Sequence, residues 1–103
     1  MSSKRIGLLN DRSAMPQLSE QVTVKNSQGL HARPAAMFVQ IASRYNSNVI
    51  LGRGDEKVNG KSIMGILTLG IQPGVTVTLE VDGDDASEVI AELKALLEKD
   101  VIE

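Results

Sequence analysis

The sequence predicts a two-layer α+β domain, and three observations carry that expectation. "PGVTVTLEV" (73–81) alternates apolar and polar residues with period two, as a strand with one buried face does. Ala86, Val89, Ile90, Leu93, Leu96 and Leu97 repeat at helical spacing and give one apolar stripe. Between and before them the segments run strand, helix, strand, strand, short helix, strand, helix. One-faced strands with one-striped helices imply a single sheet covered by helices on one side.

In chain order, residues 1–19 are polar and without sustained period, so they are expected to form a flexible N-terminal extension. Met15 offers a second start to the compact domain, which is expected to span 20–103. "QVTVK" (21–25) places Val22 and Val24 on one strand face. From Ala32 to about Tyr45, the residues Ala35, Phe38, Val39 and Ala42 follow helical spacing. "NVILGR" (48–53) and "EKVNG" (56–60) read as short strands joined through Gly52 and Gly54. "SIMGILTL" (62–69) makes a short helix, interrupted by Gly65 and stopped by Gly70. In "DGDDASE", Asp85 and Glu88 have capping-box spacing ahead of the last helix.

Composition excludes several classes of function. The 103 residues carry 11 basic and 13 acidic side chains, a net charge of −2, which leaves no broad basic footprint for nucleic acid or an anionic membrane. Phe38 and Tyr45 are the only aromatic residues, so base-stacking platforms are absent. Without cysteine there is no disulfide, thiolate metal site or thiol nucleophile. No apolar run approaches the ~18 residues of a membrane span, and the first residues lack a secretory h-region. A cytoplasmic protein is expected.

The single histidine lies in "NSQGLHARPAAMF" (26–38). If Ala32 opens a helix, His31 is its N-cap and Pro34 falls in the first turn, where a missing N–H costs nothing. The N–H groups after His31 then lie free at the positive end of the helix, which suits an anion. A neutral imidazole keeps a lone pair for nucleophilic attack. Arg33 adds a permanently charged planar fork suited to a phosphoryl group, and Gly29 permits an unusual turn just before the cap. On spacing alone, a structural histidine and a phosphoryl-accepting one both fit.

The segment "GLHARPAAMFVQIA" resembles the active-site signature of the histidine-containing phosphocarrier (HPr) family of the phosphoenolpyruvate-dependent sugar phosphotransferase system. A second block, "VNGKSIMGILTLGI" (58–71), resembles that family's regulatory region, and the register is unbroken over about 20–100. The resemblance implies an open-faced sandwich, a four-stranded antiparallel sheet with three helices on one face in the order βαββαβα. It implies that His31 accepts phosphate on Nδ1 from phosphorylated enzyme I and passes it to IIA components of sugar permeases. Arg33 would stabilise the phosphohistidine, Ala32 and Arg33 would give backbone N–H groups, and Pro34 would fix the helix start. No cofactor or metal is implied, and a monomer is expected. Gln28 stands where the family often carries a short Asn or Ser, so it is left out of the site.

Ser62 has two readings: a cap for the helix beginning at Ile63, or a phosphosite of the kind the resemblance assigns to HPr kinase/phosphorylase. The two are compatible. Ile63, Met64, Ile66, Leu67 and Leu69 nearly surround one short helix, so part of the set should be exposed. Ile63, Met64 and Leu67, with Ala36, are the expected partner-binding residues, Met64 adaptable to several partners. "GDEKVNGKS" misses the phosphate-loop spacing, because counting back from Gly60 lands on Asp55 rather than Gly54. "DGDD" (82–85) does not complete a calcium loop. The rival functions are a mainly regulatory protein of a nitrogen or catabolite-control branch acting through Ser62, and a small hydrolase using His31 as base. The second lacks an apparent second catalytic group.

Overall fold

The computed structural model describes residues 17–100. Its elements are β1 (Gln17–Thr23), α1 (Ala32–Ser43), β2 (Asn48–Arg53), β3 (Glu56–Asn59), α2 (Ile63–Thr68), β4 (Thr76–Asp82) and α3 (Ala86–Leu97). The strands form one antiparallel sheet in the order β1-β4-β2-β3. With the helices laid on one face, this is the expected open-faced sandwich.

Strand register follows from the period-two pattern. Val22 faces Val77, Leu51 faces Leu79 and Val49 faces Val81, so all the buried side chains fall on one side. Against them lie Ala35, Phe38 and Ala42 of α1, Ile66 of α2 and the whole predicted stripe of α3. The other face is polar, with Ser19, Gln21, Thr23, Asn48 and Thr76 exposed. Gly54, at φ 59, turns β2 tightly into β3, where Arg53 pairs with Glu56.

Three expectations are corrected. β1 starts at Gln17, so residues 17–19 of the expected extension are strand paired with β4, and it ends at Thr23 rather than Lys25. Residues 1–16 of that extension lie outside the described residues. β4 begins at Thr76, because Pro73 and Gly74 form the preceding turn. Asp85 is the N-cap of α3, but it makes no side-chain cap bond. Its carboxylate instead accepts a hydrogen bond from the buried Ser47 hydroxyl. Glu88 still places negative charge in the first turn, where the helix dipole favours it.

The Ser47 bond holds the Asp85 carboxyl below its ordinary range. A depressed carboxyl stabilises the fold above its unfolded pKa, and the contribution is lost as pH falls through the lower folded value. Ser47→Ala is therefore expected to destabilise the protein at pH 7, with the difference from wild type shrinking as pH falls below about 4. Urea unfolding at several pH values checks this. An unchanged difference at every pH contradicts the linkage.

Candidate functional site

The chain between β1 and α1 has no regular structure, yet its backbone donors are almost fully used. The N–H of Val24 bonds the Val75 carbonyl at 2.9 Å, that of Lys25 bonds Leu97 at 2.9 Å, and that of Ser27 bonds Asp100 at 3.1 Å. Gly29 N–H closes a turn on the Asn26 carbonyl at 3.0 Å, and Leu30 N–H bonds the Ile71 carbonyl at 3.0 Å. The loop is thus tied to the end of α3 and to the segment joining α2 and β4. Gly29 is the tightest point: φ is 73°, and an added Cβ would lie 2.3 Å from the Ile71 carbonyl oxygen.

His31 follows as the N-cap of α1, with extended backbone (φ −86°, ψ −166°). Its carbonyl accepts the first intrahelical bond, from Ala35 N–H at 3.0 Å. Since Pro34 has no N–H, the free donors of the first turn reduce to those of Ala32 and Arg33. The half-buried imidazole does not cap the helix, and among the described residues neither it nor the exposed Arg33 side chain makes a hydrogen bond or ion pair. Ala32 is exposed, Ala36 half-buried and Pro34 buried. One helix end therefore carries an imidazole without a hydrogen-bond partner among the described residues, two free N–H donors and an exposed arginine side chain. That set can receive a phosphoryl group and hold its oxygens.

The family model described as the PTS HPr component phosphorylation site matches residues 18–99. The chain belongs to the HPr family. The HPr-like protein Crh of Halalkalibacterium halodurans is 46% identical over 83 residues, covering 81% of this chain and 99% of the relative. The crystal structure of phosphocarrier protein HPr from Bacillus anthracis str. Ames superposes with a TM-score of 0.76 at 40% identity, over 79% of this chain and 96% of that one. The crystal structure of Crh, the Bacillus subtilis catabolite repression protein, gives 0.66 at 44% identity, over 80% and 94%. That structure is described as a domain-swapped dimer, so the monomer expected here does not hold for every relative.

The second HPr-family block forms α2 and its approaches. Ser62 is the N-cap of α2, and its hydroxyl accepts from Gly65 N–H at 3.1 Å, as its capping reading requires. The residue is only half-buried. Of the apolar set around α2, Ile66 and Leu69 enter the core and Leu67 is half-buried, while Ile63 is 40% and Met64 71% exposed. α2 packs beside α1. The chain leaving α2 supplies the Ile71 carbonyl that holds Leu30, next to His31. The residues that miss the phosphate-loop pattern occupy the β2–β3 turn, β3 and the approach to α2.

Two residues at the site were not anticipated. Asn26 is buried, at 3% exposure, and its Oδ1 accepts from Gln28 N–H at 2.9 Å. The "NSQG" turn composition carries that signal locally. Arg53 donates from Nη1 to the Leu69 carbonyl at 2.9 Å, satisfying the end of α2 from the β2–β3 hairpin. No local pattern announces a partner so distant in sequence.

Proposed function

We propose that this protein is a stoichiometric phosphocarrier of a phosphotransferase system. His31 takes a phosphoryl group from phosphorylated enzyme I and passes it to a IIA component of a sugar permease. The observation that carries the reading is the helix end itself: His31 at the N-cap position, the free N–H groups of Ala32 and Arg33 in the first turn, and an exposed Arg33 side chain without a hydrogen bond or ion pair among the described residues.

In the forward step the imidazole lone pair, on Nδ1 by family resemblance, attacks phosphorus in line with the donor atom of enzyme I. The P–N bond to His31 forms as the bond from phosphorus to the donor atom breaks, and the donor leaves with its electron pair. The phosphoryl oxygens keep their charge throughout, so the protein's task is positioning and electrostatic stabilisation. Arg33 and the first-turn N–H groups meet that charge. The same residues serve the onward transfer, when the IIA component's nucleophile attacks phosphorus and the His31 ring leaves with its electron pair. No metal or cofactor enters the scheme. The exchange runs between proteins in solution, and the reading places it in the cytoplasm. The test is a chase: phosphorylated protein, freed of enzyme I, should lose its phosphoryl group on addition of a IIA component of matching origin.

Successive partners must dock over one surface, and the exposed Ile63 and Met64, with Leu67 and Ala36, supply an apolar one. Met64→Glu is expected to weaken enzyme I binding by about tenfold or more, with stability changed by no more than ~0.5 kcal/mol. Calorimetric titration and urea unfolding measure the two. Wild-type affinity in this variant removes Met64 from the docking surface.

A second reading is supported by relatives named Crh, one of them described as a catabolite repression protein. Here Ser62, half-exposed at the α2 cap, is phosphorylated by HPr kinase/phosphorylase and regulation is the main role. A regulatory response lost in Ser62→Ala and kept in His31→Ala favours it over transport.

A further inference from the structure

Among the described residues, Asn26 and Ser47 are the buried polar side chains. Ser47 is accounted for by Asp85. Asn26 lies in the irregular loop before His31 and accepts through two atoms, its carbonyl from Gly29 N–H at 3.0 Å and its Oδ1 from Gln28 N–H at 2.9 Å. The two bonds close a backbone turn and a side-chain turn over the same residues. Its Nδ2 donates to no other described residue, so the acceptor oxygen is the working atom of the side chain.

The position of this double turn gives it a consequence for the site. Leu30 is buried and fixed to the Ile71 carbonyl, and Gly29 sits against that same carbonyl with no room for a Cβ. From Asn26 to Leu30 the loop is held to one path, and that path delivers His31 to the N-cap position of α1. The ring itself has no hydrogen bond to orient it among the described residues, so its placement depends on the backbone that precedes it. Gln28 N–H is the loop donor that only a side chain satisfies.

Resting on the carrier reading above, we infer that Asn26 is a positioning residue for phosphoryl transfer, acting through Oδ1 on the backbone that sets His31. Its side chain is buried away from any docking partner, so it governs the rate of transfer and not the encounter. Small displacements of a reacting group reduce rate steeply.

The experiment measures kcat and KM of the full chain as phosphoryl acceptor from enzyme I and phosphoenolpyruvate, for wild type, Asn26→Ala and Asn26→Asp. Asn26→Ala is expected to lose about tenfold in kcat with KM within about twofold. Asn26→Asp keeps the acceptor oxygen and is expected to stay within about twofold of wild type in both. A wild-type kcat in Asn26→Ala, an equal loss in both variants, or a loss confined to KM overturns the inference. Amide exchange on wild type gives a test independent of the variants' folding. Gln28 N–H should be protected like that of Gly29, and exchange at the unstructured rate overturns the inference. A wild-type chain that accepts no phosphoryl group defeats the carrier reading itself, and the positioning role with it.

Discussion

His31→Ala is expected to abolish phosphoryl acceptance from enzyme I while leaving the fold intact. No other histidine exists in the chain to take over the nucleophile's role, and cysteine is absent. The structural cost should be small, because the imidazole makes no cap bond and is only half-buried. The backbone at the cap, including the carbonyl that accepts from Ala35, survives the substitution. A stability change within about 0.5 kcal/mol is expected, measured by urea unfolding beside the phosphorylation assay. Loss of transfer accompanied by unfolding would instead make His31 a structural residue.

Gly29→Ala should be among the most destabilising single-methyl changes in the protein. Backbone at φ 73° disfavours any L side chain by ~1–2 kcal/mol. The new Cβ would also lie 2.3 Å from the Ile71 oxygen and 3.0 Å from Gln72 Cα, both backbone atoms that cannot rotate away. Forcing such an overlap adds ~1–3 kcal/mol, for about 2–5 kcal/mol in all. Gly54→Ala is the control, since at φ 59° its Cβ would meet nothing within 4 Å. It should show the backbone part alone, ~1–2 kcal/mol. Urea unfolding of the two variants separates close approach from φ. Equal losses would mean that contact between the His31 loop and Ile71 matters little.

The periodic parts of the chain could be read directly. Every residue of the predicted α3 stripe is buried, Val77, Leu79 and Val81 face inward, and His31 occupies the N-cap position of α1 as its neighbours predict. The start of β1 was hidden for a physical reason. Glu20 occupies the strand phase of Val22, breaking the apolar alternation, and it is accommodated at the sheet edge by Lys94 of α3 at 3.2 Å. Asp85 was legible as a cap position but not as the partner of Ser47, because local spacing cannot show a competing donor brought in by tertiary structure. At the site, His31, Ala32, Arg33 and Pro34 are contiguous, so one motif held them. Arg53 and the Ile71 carbonyl reach the site only through folding. Asn26 stands in a turn-forming composition, but nothing local shows that its side chain is buried.

The most direct test of the carrier account is to locate the phosphate. Intact mass spectrometry after incubation with phosphoenolpyruvate and active enzyme I of matching origin should show one added phosphoryl group per chain. Mild acid should remove it and alkali should not, as a phosphoimidazole requires, and phosphorus NMR should place it on a ring nitrogen. No added group, or an acid-stable one on Ser62 alone, would contradict the account.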